Sequence, residues 1–112
     1  MPNRSIVIHT ARRRLELFEE NRLIQHYPIA IGKGATPTPH GRYTIATKTI
    51  YPGGLFGSRW MGLSIPHYGI HGTNNPTSIG QAVSKGCIRM HNYDVEHLFQ
   101  RVEIGTTVII QS

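Results

Sequence analysis

Residues 67–92 read HYGIHGTNNPTSIGQAVSKGCIRMHN and hold the chain's one cysteine, Cys87, with His67, His71 and His91. How this stretch folds decides what those side chains can do together. His67 and His71 are four apart, as are Cys87 and His91, and three nitrogens with one sulfur would suit zinc. Pro66 and Gly69 oppose a helix through the first pair, however. In a strand, residues four apart point the same way but lie too far apart to share one ion easily. Tyr68–His71 therefore reads as a short strand ending at Gly72. Asn75-Pro76 resembles a helix start and predicts a helix over Pro76–Val83, weakened by Gly80. Asn92 is a good cap for a second helix, roughly Tyr93–Arg101, with Asp94 and Glu96 in its first turn.

Outward from this stretch the chain is strand-rich. Ser5–Thr10 predicts a strand. Leu15 and Leu17 alternate with Glu16 and Phe18, Glu20 and Asn21 supply turn chemistry, and Leu23–Ile31 reads as the return strand of a hairpin. Prolines at 37 and 39 and glycines at 32, 34 and 41 mark a structured loop before a strand at Arg42–Thr47. Tyr51–Trp60 is a second glycine-rich loop, Met61–Ile65 a short strand, and Thr106–Ile110 a β-branched closing strand. At 112 residues, with 38% hydrophobic and 16% charged side chains, the chain fits a single globular domain over 1–112.

Twelve Lys and Arg against six Asp and Glu give a formal charge of +6, which favours encounter with polyanions. No recognition helix, zinc-finger spacing or aromatic RNA-binding motif is visible, so nucleic acid is not expected. The run Arg12–Arg14 reads as a solvated strand face. No apolar run approaches the roughly 20 residues that cross a bilayer, and the first residues show no signal-peptide pattern.

A thiol becomes a useful nucleophile when a base or a positive field stabilises its thiolate. Lys85 brings charge near Cys87, and Gly86 removes a side chain just before the sulfur. Backbone N–H groups around Gly86 and Cys87 offer an oxyanion hole. His71, at a strand end beside a glycine and sixteen residues upstream, is the best candidate base. A lone cysteine as a buried small hydrophobe is the plain alternative, and a zinc site is a third.

The stretch HGTNNPTSIGQAVSKGCIRMHN resembles the catalytic signature of the L,D-transpeptidase (YkuD-type) family: a histidine, a spacer, then Ser/Thr-His-Gly-Cys and an apolar residue. YPIAIGKGATPTPHGRYTI and PGGLFGSRWMGLSI also read like that family's core. The resemblance implies a mainly β fold, a mixed-sheet sandwich or barrel-like structure with one or two short helices. It implies Cys87 as nucleophile, His71 as general base and the Gly72 carbonyl as the group orienting the ring. Ser84 and Gly86 would shape the nucleophile loop, and Arg89 would bind a substrate carboxylate. Lys85 stands where the commoner form has a second histidine, which leaves His71 as the base. His67, Tyr68 and Trp60 are candidates for the pocket wall.

The activity implied is transpeptidation of peptidoglycan stem peptides, with no cofactor or metal. Hydrolysis of the same stem or non-catalytic wall binding are the alternatives. Carbapenem-type inhibitors are expected to acylate the cysteine. An extracytoplasmic place, in the cell wall or spore envelope, follows by resemblance.

Overall fold

A computed structural model describes residues 3–112. Strand β1 (Arg4–His9) and β2 (Arg14–Glu19) pair antiparallel, and β2 pairs with β3 (Arg22–Pro28) through a tight turn. Glu20 and Asn21 both take positive φ there, 51° and 66°, as a two-residue hairpin turn matched to strand twist demands. Alternation sets the inner face: Ile6, Ile8, Leu15 and Leu17 are fully buried.

The predicted return strand does not run straight to Ile31. After Pro28, successive N–H groups go to different elements: Ile29 donates to Arg13 O (3.0 Å), Ala30 to Arg89 O (2.9 Å) and Ile31 to Gln81 O (3.0 Å). The chain thus leaves one sheet edge for another and forms a separate two-residue strand, β4 (Ile31–Gly32). The long β5 (Gly41–Ile50) exceeds the expected Arg42–Thr47, and β6 (Arg59–Leu63) returns against it. Next come β7 (Gly69–His71), β8 (Ala82–Ser84), β9 (Ile88–Arg89), helix α1 (Asn92–Phe99) and β10 (Thr107–Gln111).

Eight strands form one curled mixed sheet in the order β3-β2-β1-β10-β5-β6-β7-β9, and β4 pairs with β8 as a small parallel sheet. The closing strand β10 lies parallel to β1 and antiparallel to β5. Residues from nearly every strand, with Val95 and Leu98 of α1, fill one hydrophobic core. The mainly β expectation holds.

Three local expectations are corrected. The helix over Pro76–Val83 is a single 3-10 turn, Pro76–Ser78, followed by β8. Ile79 is extended, and the Gly80 N–H donates to Ile29 O (2.9 Å) rather than continuing a helical ladder. Arg12–Arg14 is not a strand face: residues 10–13 are a turn, Arg13 has φ 50°, and only Arg14 enters β2. Asn92 is not the cap of α1. His91 holds that place, its carbonyl accepting from Asp94 and Val95 N–H (3.0 Å each), and Asn92 is the first helical residue.

The far end of α1 is held by Lys48 of β5. Its ammonium lies 4.1 Å from the Phe99 ring centroid and donates to Phe99 O and Val102 O, both at 2.7 Å. The Phe99 carbonyl lies where a helix leaves acceptors without intrahelical partners, and Val102 O follows just beyond the helix end. Substituting Lys48→Met keeps the stem and removes both charge-assisted bonds. It should lower stability by about 1–3 kcal/mol, read as an earlier urea midpoint with unchanged slope; an unchanged midpoint would show that the ammonium contributes nothing net.

Candidate active site

Strands β7 and β9 lie parallel, with Ile70 opposite Ile88 and His71 opposite Arg89. The same register brings Gly69 level with Cys87, and the thiol meets backbone at Gly69. The Met90 N–H donates to His71 O (2.8 Å), continuing the ladder. Two residues sixteen apart in sequence are thereby placed in one cavity.

That cavity has a volume of about 280 Å³ and is lined by Lys33, Leu55, Phe56, His71, Val83, Ser84, Lys85, Cys87 and Arg89. Its wall is mostly apolar with a few convergent polar groups, the usual make-up of a small-molecule site. A larger polar cleft of about 380 Å³ at Arg4, Arg101 and Thr106 contains none of the residues singled out from sequence.

His71 is only 3% exposed. Its Nδ1 makes a short 2.5 Å hydrogen bond to Gly72 O. A carbonyl can only accept, so Nδ1 carries the proton and Nε2 is left with a lone pair. The ring stacks on the Trp60 indole (centroids 5.6 Å apart, planes 19° apart) and meets the edge of Phe56 at 5.1 Å. Burial pushes the imidazole down to a pKa of about 4. The positive Arg89 pushes the same way, and the bond to Gly72 offsets part of the effect.

Cys87 is partly buried, and burial raises its thiol above the ordinary range, against the pull of the Gly69 backbone and Arg89. The Sγ lies 3.6 Å from His67 O, as a weak donor. Both shifts favour a neutral imidazole and a neutral thiol in the resting site.

The loop before Cys87 is tightly organised. Gly86 has φ 117°, and a Cβ there would collide with the Tyr68 ring, so only glycine suits the position. Ser84 Oγ donates to Cys87 O (2.7 Å) and accepts from Gly86 N–H (3.1 Å). The Gly86 N–H expected for an oxyanion hole is thus already committed, which leaves the Cys87 N–H as the candidate of the two. Arg89 Nη1 donates to Ser78 Oγ (3.3 Å), which steadies the guanidinium.

Of the residues expected from sequence, His71, Ser84, Lys85, Cys87 and Arg89 line the cavity. Trp60 stands behind His71, and Tyr68 stands behind Gly86. His67 contributes its carbonyl at the thiol while its side chain is exposed. The pairs His67/His71 and Cys87/His91 do not converge: among the described residues no three His, Cys, Asp or Glu are grouped to hold an ion.

Sequence reading missed Lys33, Leu55, Phe56 and Val83 in the wall, Leu55 and Phe56 coming from the glycine-rich loop at 51–60. It also missed what Asn92 does. Asn92 Oδ1 accepts from Ser58 N–H (3.2 Å) and Thr73 N–H (3.1 Å), and Nδ2 donates to Thr73 O (3.1 Å). One amide thus ties the start of α1 to the loop bearing Phe56 and to the turn bearing the Gly72 carbonyl. A Cβ on Gly72 would strike Asn92 Oδ1.

The chain is similar to proteins of known family. The proteins named L,D-transpeptidase YkuD of Bacillus licheniformis and Bacillus subtilis are 54% and 53% identical over 105 residues, 94% of this chain. The chain spans 64% of the length of each. An L,D-transpeptidase from Mycobacterium smegmatis superposes with TM-score 0.87 at 18% identity, over 99% of this chain and 59% of that one. The catalytic domain of the Enterococcus faecium L,D-transpeptidase does so with TM-score 0.83 at 24% identity, over 99% and 98%. At these identities the superpositions speak to the fold alone. The family model for the L,D-transpeptidase catalytic domain matches residues 3–110, and the chain belongs to this YkuD family.

Proposed function

We propose that this chain is the catalytic domain of a cysteine-dependent peptidoglycan L,D-transpeptidase acting outside the cytoplasm, at the cell wall or spore envelope. The observation that carries the reading is the buried His71, with its Nδ1 proton held on Gly72 O, sharing one cavity with Cys87.

The chemistry follows from the neutral resting pair. A tetrapeptide stem enters with its terminal carboxylate on Arg89, whose forked donors suit that group. Its arrival brings the third-residue carbonyl to Sγ. As the S–C bond forms, the thiol proton passes to His71 Nε2, and Gly72 O steadies the imidazolium through Nδ1–H. The Cys87 N–H stabilises the charge growing on the carbonyl oxygen. The C–N bond to D-alanine breaks, His71 returns the proton to the leaving amine, and a thioester remains. An amine of a second stem then attacks the thioester, gives its proton to His71 and leaves as a 3-3 crosslink, restoring the thiol. Ser84, Lys85, His67, Tyr68 and Trp60 act as walls and supports of this pocket.

An L,D-transpeptidase has been solved in complex with imipenem, and L,D-transpeptidase 3 from Mycobacterium tuberculosis in complex with a faropenem-derived adduct, which motivates a β-lactam probe here. On incubation with imipenem, intact-mass spectrometry should record one adduct on the native chain and none on Cys87→Ala. His71→Ala should form it about 10²–10⁴-fold more slowly. With a tetrapeptide stem, the native chain should release D-alanine and form a peptide dimer. No adduct on folded protein, and no D-alanine release, would overturn the cysteine mechanism. A tripeptide product without dimer would make water the acceptor.

Asn92 positions the site without touching the reacting atoms. Substituting Asn92→Ala strands the Ser58 and Thr73 N–H groups. It should slow imipenem acylation by about tenfold, equivalent to the ~1.4 kcal/mol of a lost hydrogen bond, while alkylation of Cys87 by iodoacetamide stays at the native rate. Lost acylation together with faster alkylation would mean general unfolding, which exposes the thiol, rather than misplacement of His71.

A further inference from the structure

The mechanism above gives no task to the charges of two cavity lysines, Lys33 and Lys85. Lys33 follows β4, and its N–H donates to Ser84 O (3.1 Å), so it stands across the small parallel sheet from Ser84-Lys85. Lys33 and Lys85 are exposed at the mouth of the cavity that also holds Arg89. No Asp or Glu lines that cavity. Among the described residues the ion pairs are Arg4–Glu19, His9–Glu16 and Arg14–Glu16, none of which involves these three cations.

A cavity of about 280 Å³ thus carries three positive charges with no protein carboxylate against them. Low-dielectric walls focus such a field on whatever enters. The charges also differ in kind and place. Arg89 lies two residues after Cys87 and is steadied by Ser78 Oγ, a fork suited to one carboxylate. The lysines come from the chain before Cys87 and from the facing β4 end. They are mobile point charges, suited to a second carboxylate on a flexible side chain.

We propose that Lys33 and Lys85 form a second carboxylate subsite, which binds the side-chain carboxyl of the third stem residue while Arg89 holds the terminal carboxylate. This rests on the function proposed above and adds its specificity: a donor stem with a free side-chain acid is preferred over the same stem amidated there. Amidation removes the negative charge and presents an NH₂ group to ammonium groups that can only donate.

The test is calorimetric titration of Cys87→Ala, which cannot turn over, with a tetrapeptide stem and with the same peptide amidated only at that side-chain carboxyl. The free acid should bind about tenfold tighter, as two solvent-exposed ion pairs allow, and the difference should shrink with added salt. In Cys87→Ala carrying Lys33→Met and Lys85→Met the difference should vanish, with the amidated peptide binding as before. Arg89→Met should weaken both peptides alike. Equal binding of the two peptides, or a preference that survives the double lysine substitution, overturns the subsite. If native Cys87 is acylated equally well by both peptides, the subsite falls and the enzyme reading stands. If neither peptide acylates it, both fall.

Discussion

The parallel pairing of β7 with β9 is the constraint on which the site depends. Parallel strands cannot be joined by a tight turn and need a crossover. Here the crossover does not pack as a helix. It makes one 3-10 turn, sends the Gly80 N–H to Ile29 O, and pairs β8 with β4. The connection therefore stands beside the strand ends as a wall, and the cavity is the space between that wall and the loop carrying Leu55 and Phe56. A one-residue slip of β9 would turn the Arg89 side chain to the opposite face and move Cys87 out of level with Gly69.

Burial then sets the chemistry. His71 lies between Trp60 and Phe56, where an imidazolium would be poorly solvated, and Arg89 adds a like charge. The same desolvation keeps the thiol protonated. Such burial disfavours a thiolate at rest, and on the function proposed above the thiol ionises as a carbonyl arrives to accept the sulfur, with the lone pair on Nε2 taking the proton. The Asn92 amide keeps that arrangement in register by holding the Phe56 loop and the Gly72 turn to one helix end.

Much of this was legible in the chain. The alternation of Leu15 and Leu17 and the β-branched run at 107–110 announce strands, because a half-buried strand must alternate. His71 and Cys87 were candidates beside a buried-thiol and a zinc reading, and the resemblance to the L,D-transpeptidase signature singled them out; the pairing of β7 with β9 brings them to one cavity. The helix expected over Pro76–Val83 failed because local capping chemistry at Asn75-Pro76 was outweighed by a tertiary hydrogen bond from Gly80. The break at Pro28–Ala30 was invisible for a similar reason: three successive N–H groups find partners 16 to 59 residues away. Lys33 and Phe56 reach the cavity only through strand pairing and loop closure, and no local pattern carries that information. Asn92 looked like a cap because its residue type suits one, whereas its side chain turns back to loops contributed by Ser58 and Thr73.

The most direct test is the protonation state of His71 in the resting protein. Nitrogen-15 imidazole resonances should be recorded from pH 8 down to pH 3.5, in native protein and in Cys87→Ala. A buried neutral pair predicts a neutral ring with its proton on Nδ1 across the neutral range, becoming cationic only near pH 4, and the same behaviour without the thiol. A ring already cationic at pH 7 that becomes neutral in Cys87→Ala would mean a resting thiolate–imidazolium pair, and would contradict activation by substrate arrival.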